Sequence, residues 1–335
     1  MGTGSFLRGT AHGWLGFPSR PGVSVNPLLG ISLKVISALV FTLMSAGLKI
    51  VSARYPIGEL VFFRSAFAIV PLLLWLGWQG DLVNAVRTDN IRGHVLRGII
   101  GSCGMFSGFV ALSYLPLHDA IAIGYAAPLI VVVLAATVLK ETVRAYRWTA
   151  VGIGFVGVLI MLSPHLSAGT VSRGLQAGSA IGASFALFGA CCSAGAAIQV
   201  RRLTQSEKTG AIVLYFSLLT SVLGLVTIVL GWRTPTGTDL ALLISIGILG
   251  GIGQILMTQS YRFADTSIIA PFDYTSMIWA VLIGWFAFGD LPSLAVTIGA
   301  VIVISAGLFV LWRERHLGLI RREREAASPQ RVVGN

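Results

Sequence analysis

Long apolar stretches separated by short polar connections run through most of this chain. A bilayer core needs about 20 residues of apolar helix, because unpaired backbone groups are costly in lipid. The pattern therefore predicts an all-α integral membrane protein with ten transmembrane helices. The predicted stretches are 31–53, 58–78, 93–114, 117–139, 145–163, 176–202, 210–231, 238–262, 264–288 and 292–312.

Short segments of the first half return in the second half at a nearly constant offset. Ser45-Ala46-Gly47 returns as Ser193-Ala194-Gly195, and Tyr125 is matched by Tyr274. Such spacing indicates an internal repeat of about half the chain. Each half holds five apolar stretches, an odd number, so the two copies are expected to enter the membrane from opposite faces. Inverted repeats with a site between them are typical of secondary transporters.

Arginine and lysine residues are distributed unequally between the two sets of connections. One set, with the two ends of the chain, holds most of them, whereas the other set holds only Arg54, Arg173 and Arg233. Positive residues stay in the cytoplasm, so both termini are predicted to be cytoplasmic. The predicted organisation is a disordered lead at 1–30, a first repeat at 31–163, a second repeat at 176–312, and a basic tail at 313–335.

Composition excludes several classes of protein. Hydrophobic residues make up 55% of the chain and charged residues 11%, whereas soluble domains carry about 25% charged residues. The net charge of +11 does not indicate a nucleic-acid partner, because the basic residues flank apolar stretches instead of forming one patch. The predicted environment is a lipid bilayer, specifically the cytoplasmic (inner) membrane. The cysteines and histidines lack metal-site spacing, so no metal and no cofactor are predicted.

Two polar side chains lie deep in the predicted helices of the second half. Asp273 is nine residues into the ninth stretch, about 13 Å along a helix, and Gln254 lies at nearly the same depth in the eighth. An ionisable group at such depth is a candidate for function. Asp273 is predicted to contact a cationic part of a substrate or to take up a proton. The structural alternative is a hydrogen bond between helices or a buried pair with a basic residue.

Basic residues also lie inside the first three stretches. Arg64 can hold a substrate carboxylate or phosphate, or it can pair with Glu59, five residues earlier. Lys49 is expected to extend towards the membrane interface. Arg97, near the predicted cytoplasmic end of the third stretch, is expected to be one of the positive residues that set the orientation in the membrane.

Three aromatic residues at mid-helix depth complete the candidate binding set. The rings of Tyr125, Tyr274 and Trp279 can stack on a planar substrate, or can simply pack between helices or against lipid. The predicted substrate-binding residues are therefore Asp273, Gln254, Arg64, Tyr274, Tyr125 and Trp279.

Several motifs resemble a known family. The first half contains the run Leu115–Pro128, Lys140-Glu141, Arg147-Trp148 and the glycines from Gly152 to Gly157. The second half contains Ala270–Ser276, Gly284, Gly289-Asp290 and Gly307. These elements resemble the EamA-type repeat of the drug/metabolite transporter superfamily. The resemblance implies a ten-helix fold built from two inverted five-helix repeats.

The sequence departs from the family pattern at two positions. Pro128 is matched by Met277, so the proline is not duplicated, and Asp290 stands where the family usually has glutamate. The Phe62-Phe63-Arg64 and Ala270–Tyr274 elements resemble members described as importers of riboflavin or S-adenosylmethionine. Other members of similar pattern export amino acids or related metabolites, so the substrate stays open.

The predicted function is secondary transport of a small organic metabolite by alternating access, with protons as a candidate coupling ion. The alternatives are an exporter of amino acids or drug-like metabolites with the same fold, or a membrane subunit that does not transport. An enzyme is not favoured, because the five histidines lie in loops, tails or helix ends and no intramembrane carboxylate pair occurs. Import or export and the oligomeric state stay open.

Overall fold

The computed structural model describes residues 27–78, 80, 82, 87–138, 143–166, 173–203, 206–263 and 269–327. Within these ranges every regular element is a helix. The α-helices are α1 (Pro27–Ser52), α2 (Ile57–Trp78), α3 (Ile91–Tyr114), α4 (Leu117–Gly124), α5 (Ala126–Thr137), α6 (Ala145–Leu166), α7 (Arg173–Leu203), α8 (Thr209–Val226), α9 (Gly237–Phe263), α10 (Thr275–Ile283) and α11 (Leu294–Ala327).

Across the described ranges, nine helical spans are long and apolar enough to cross a membrane. A shorter apolar helix, Phe272–Phe288, occupies the position of the ninth predicted stretch. The chain is therefore a multi-pass membrane protein, as the apolar pattern predicted. Each predicted stretch coincides with helix in the part of the chain that the structure describes.

Three of the predicted helices are irregular. The seventh ends with a 3₁₀ segment at Thr227–Leu230. The fourth stretch is interrupted at Tyr125, where the backbone N–H bonds to the carbonyl of Ala122 three residues back. The ninth begins, in its described part, with a 3₁₀ segment at Ala270–Tyr274 and ends with a π segment at Gly284–Phe288. An apolar pattern reports burial in lipid and not the local hydrogen-bond register, so the sequence did not predict these changes.

The ends of the chain also differ from the predicted boundaries. Helix α1 begins at Pro27, inside the predicted lead, and α11 continues through the predicted tail to Ala327. Residues 1–26, 264–268 and 328–335 lie outside the described residues, so the rest of the lead, the start of the ninth stretch and the last part of the tail stay predictions.

Glycines bring pairs of helices into close contact. At the crossing of α6 and α11, a Cβ atom at Gly157 would lie 2.8 Å from the carbonyl oxygen of Gly299. At the crossing of α3 and α7, a Cβ atom at Gly189 would lie 3.4 Å from the carbonyl oxygen of Gly104. Membrane helices pack through small residues because lipid provides no hydrophobic drive between them.

The packing partners agree with the sequence repeat. Helix α1 packs on α9, and α3 packs on α7; these are the two pairs that a twofold relation between the halves would exchange. Helix α2 also packs on α8, and α6 on α11. The inverted repeat and the cytoplasmic location of the termini stay predictions. We call the end where α1 begins and α2 ends the basic end, and the other the opposite end.

Glu207, in the connection between α7 and α8, forms hydrogen bonds with the residues that precede α3 at the basic end. Its carboxylate accepts hydrogen bonds from the Thr88 hydroxyl at 2.9 Å and from the backbone N–H groups of Asp89 and Asn90 at 3.2 Å. Its second oxygen lies 3.5 Å from Nε2 of His94. Burial raises the pKa of Glu207, but these hydrogen bonds outweigh it and leave the pKa below its ordinary value.

This carboxylate makes thermal stability depend on pH. A depressed pKa in the folded state contributes stability above the ordinary value of 4.5, and that contribution is lost as the pH falls through the folded pKa. We expect Glu207→Gln to lower the melting temperature at pH 7, with a cost of about 1 kcal/mol. The difference from the wild type should begin to shrink as the pH falls below 4.5 and should disappear once the pH is below the folded pKa. Melting curves in detergent from pH 7 downward test this, and a difference that persists in acid would contradict it.

Candidate functional site

A small pocket lies where α2, α8 and α9 meet. Arg64, Phe216 and Gln254 line it together with Ser217 and with small or apolar residues. Gly250 leaves space for the guanidinium of Arg64, since a Cβ atom there would lie 3.3 Å from Nε. The pocket has room for roughly one water molecule. Two candidates chosen separately from the sequence, Arg64 and Gln254, are therefore neighbours in the structure.

The proposed partner of Arg64 binds elsewhere. Glu59 accepts a hydrogen bond at 3.1 Å from the backbone N–H of Arg233, in the connection between α8 and α9. Arg64 is 8% exposed and forms no salt bridge within the described ranges. The structure thus favours a function for Arg64 other than pairing with Glu59.

Arg97 is not placed as the topological interpretation expected. Its guanidinium carbon lies 3.7 Å from the centre of the Phe216 ring, and Nε and Nη1 are buried with no hydrogen-bond partner in the described part of the chain. The side chain passes beside Gly101, in the direction of the membrane centre. Arginines that set the orientation of a membrane protein usually lie in water or at the membrane interface. The buried guanidinium of Arg97 does not match that role.

Asp273 forms an ion pair with a residue that the sequence analysis did not select. Its carboxylate lies 2.7 Å from Nζ of Lys34 on α1. The Lys34 side chain is 3% exposed, whereas that of Asp273 is 55% exposed. This is the structural alternative, a pair with a basic residue, but it leaves half of the carboxylate surface accessible. A lysine inside the first apolar stretch was the available signal for Lys34.

Tyr125 and Tyr274, which the repeat matches, contact each other. Their ring centres are 5.2 Å apart in an edge-to-face arrangement, and the Tyr125 hydroxyl lies 2.6 Å from the Ser276 hydroxyl. The Tyr274 hydroxyl packs against Gly307 on α11, where a side chain would collide with it. The two tyrosines therefore join α5, α10 and α11 and are held by packing. Trp279, one turn further along α10, keeps its indole N–H buried without a partner among the described residues.

A second polar cluster ties the helix ends together at the opposite end. Asp119 at the start of α4 lies 3.1 Å from Nε2 of His118 and 3.2 Å from Nε2 of His165 on α6. The other ring nitrogen of His165 lies 2.6 Å from the Ser179 hydroxyl on α7. Lys49 donates to the carbonyl of Leu115 at 2.5 Å, so it caps the end of α3 instead of extending to the interface.

The Asp119 cluster gives a testable contribution to stability. Asp119 is 5% exposed, so its carboxylate is the shared acceptor of two histidines in a dry environment. We expect Asp119→Asn to cost about 1–3 kcal/mol, because it removes the buried negative charge that lies within 3.2 Å of one ring nitrogen of each histidine. Melting temperature in detergent measures the effect, and Asp89→Asn, at an exposed position, is the matched control. Equal losses in the two variants would contradict this assignment.

The chain is similar to known membrane transporters along most of its length. The model of the EamA-like transporter family matches residues 28–163 and again residues 180–312. The S-adenosylmethionine uptake transporter of Rickettsia prowazekii is 27% identical over 291 residues, which is 87% of this chain and 94% of that protein. The riboflavin transporter of Rhizobium johnstonii is 28% identical over 315 residues, 92% of this chain and 99% of that protein.

An exporter is also among the similar proteins. The pseudopaline exporter CntI of Pseudomonas aeruginosa is 27% identical over 282 residues, 83% of this chain and 94% of that protein. A solved structure with 18% identity superposes with a TM-score of 0.60 and covers 85% of this chain and 99% of that chain. That likeness shows a shared fold.

Proposed function

We propose that this chain, which belongs to the EamA-like transporter family, is a secondary transporter that moves a small organic metabolite across the cytoplasmic membrane by alternating access. The observation that carries the proposal is the polar interior of an otherwise apolar bundle. Arg64 and Gln254 face one pocket, and the Lys34–Asp273 pair lies on α1 and the ninth span. Charged groups inside membrane helices are costly and are kept for function.

Polar contacts at both ends of the helices provide the closures that alternating access needs. At the opposite end, the Arg54 guanidinium lies 3.0 Å from Asp239, and the Tyr55 hydroxyl donates to the same carboxylate at 2.7 Å. Towards the basic end, Glu207 accepts a hydrogen bond from Thr88, just before α3, and Asp273 forms an ion pair with Lys34 on α1. We propose that the two sets of contacts open in turn, so that the pocket between them faces one side of the membrane at a time.

Asp273 is the proposed site of proton coupling. A protonated Asp273 no longer neutralises the buried ammonium of Lys34, so proton binding weakens the link between α1 and the ninth span. The Asp273 side chain is 55% exposed and is the more open member of the pair, so it is the proposed site of proton binding. Binding and release of a proton can therefore accompany the separation of these helices.

We propose import of a metabolite similar to riboflavin, S-adenosylmethionine or an amino acid. The support is the similarity, over most of this chain, to an S-adenosylmethionine uptake transporter and to a riboflavin transporter. Export of a related metabolite is the second candidate. Its support is the similarity to a pseudopaline exporter, which extends over 83% of this chain.

Uptake into proteoliposomes tests the proposal. The panel contains riboflavin, S-adenosylmethionine, and aromatic, cationic and neutral amino acids, each with and without a pH gradient. We expect saturable uptake of one compound, faster when a proton gradient is imposed. Vesicles loaded with the same compounds test export by measuring efflux. No uptake and no efflux of any compound, in vesicles with confirmed insertion of folded protein, would contradict the proposed function.

A further inference from the structure

We propose that the transported molecule carries an oxyanion, a carboxylate or a phosphate, which binds between the guanidinium groups of Arg64 and Arg97 beside the ring of Phe216. This inference rests on the proposed transport function and narrows the substrate to compounds with an oxyanion, which excludes riboflavin itself because it has neither a carboxylate nor a phosphate. It also gives Arg97, which the topological interpretation had set aside, a direct contact with the substrate.

Arg64 is the first support. Its side chain is buried against α9, and Glu59, the partner predicted from the sequence, accepts a hydrogen bond from the backbone N–H of Arg233 and forms no salt bridge with Arg64 in the described ranges. Burying a guanidinium without a counter-charge is costly, and the cost is recovered only when an anion arrives. A planar guanidinium offers two parallel N–H donors, which match a carboxylate or phosphate.

Arg97 is the second and independent support. Two of its three guanidinium nitrogens, Nε and Nη1, are buried without a hydrogen-bond partner in the described part of the chain. Buried donors normally have partners, so two such donors on one side chain indicate a missing ligand. Gly101 makes the placement possible, because any side chain at that position would meet Nη1 of Arg97.

Phe216 connects the two arginines. Its ring lies under the Arg97 guanidinium at 3.7 Å and also lines the pocket of Arg64. Both cations therefore lie beside the same ring, and like charges repel strongly where water is scarce. An oxyanion between them removes the repulsion and satisfies the buried donors. Ser217 and Gln254, in the same pocket lining, supply further polar groups for the bound molecule.

The present size of the pocket defines when binding occurs. It has room for roughly one water molecule, and Gly251 holds α9 close to α2 with no space for a Cβ atom beside the Ala68 carbonyl. A metabolite can therefore enter only when α2 and α9 separate. The described conformation is thus the closed state of this site, and separation of the two helices exposes the arginine pair to one side of the membrane.

Pairs of compounds that differ only in one anionic group test the proposal. The pairs are riboflavin 5′-phosphate with riboflavin, S-adenosylmethionine with its decarboxylated form, and tryptophan with tryptamine. Binding to the purified full-length protein is measured by thermal shift, with inorganic phosphate and acetate as simple oxyanion probes. Transport is measured in proteoliposomes. We expect the anionic member of at least one pair to bind at least tenfold more tightly than its partner.

Substitutions assign this preference to the two arginines. Arg64→Gln and Arg97→Gln should each reduce binding of the anionic member at least tenfold and leave binding of its partner unchanged. Arg92→Gln removes the same charge from an exposed position on the same helix, α3, and should change neither. If an arginine variant does not fold, Gly101→Val provides a second route, since it displaces the Arg97 guanidinium and keeps both charges.

The outcomes separate this inference from the proposed function. Transport without any preference for anionic members, or a preference that survives in both arginine variants, would overturn the oxyanion site and leave transport intact. No stabilisation by any anionic compound, by phosphate or by acetate would also overturn it. An anion preference in binding with no transport of any compound would overturn the proposed function but not the site.

Discussion

Uptake driven by a pH gradient will be lost when Asp273 is replaced by asparagine. The Asp273 carboxylate lies 2.7 Å from Nζ of Lys34, and the Asp273 side chain is half exposed, so it is the proposed proton acceptor of the pair. A proton on Asp273 removes its charge and weakens its link to Lys34. Asparagine has no charge at any pH, so uptake by Asp273→Asn should be the same with and without the gradient. Initial rates in proteoliposomes with imposed gradients of either direction measure this.

A double variant separates this effect from misfolding. Asp273→Asn alone removes a carboxylate from a buried ammonium, which is destabilising in general. Lys34→Met combined with Asp273→Asn replaces the pair by neutral groups, and such replacement is often neutral for stability. We expect the double variant to regain the melting temperature but not the response to pH. A folded double variant that still responds to the gradient would exclude Asp273 as the proton site.

A large side chain at the crossing of α6 and α11 will destabilise the protein strongly. A Cβ atom at Gly157 would lie 2.8 Å from the Gly299 carbonyl and 2.9 Å from the Val303 side chain, and leucine adds three further carbon atoms. Backbone cannot move aside as a flexible side chain can, so Gly157→Leu should cost about 3 kcal/mol or more. The yield of monodisperse protein and its melting temperature in detergent measure the loss.

Gly152→Leu is the matched control, one and a half turns earlier on the same helix. This glycine is exposed, and a Cβ atom there would meet nothing within 4 Å. Glycine inside a helix is destabilising because it loses more conformational freedom on folding than other residues do. Its replacement can therefore raise the free energy of unfolding by up to about 1 kcal/mol. We expect an unchanged or slightly higher melting temperature for Gly152→Leu. Similar losses at the two positions would show that the crossing is not the cause.

The membrane-spanning helices could be predicted from the sequence because lipid imposes one simple condition, about 20 apolar residues for each crossing. Arg64 and Gln254 could be selected for the same reason, since polar residues stand out against an apolar background. Their shared pocket could not be predicted, because it depends on the closeness of α2 and α9 at Gly250 and Gly251, and a pattern along one helix does not contain that distance.

Lys34 and Arg97 were missed for a related reason. Both lie within a few residues of the ends of predicted stretches, where basic residues usually mark topology. The direction of the side chain decides between the two functions. The Lys34 ammonium lies in the bundle against Asp273, and the Arg97 guanidinium lies over Phe216. Depth counted along the chain does not give this direction.

The interruption at Tyr125 has a consequence for isotope labelling. In an unbroken helix inside lipid, backbone amides have neither water nor freedom to open, so they exchange their hydrogens very slowly. At Tyr125 the amide bonds three residues back, and the helical register changes in the middle of the span. Deuterium uptake at the α4–α5 junction should therefore rise whenever the bundle admits water to its centre. That uptake would report the opening of the transporter even before any substrate is known.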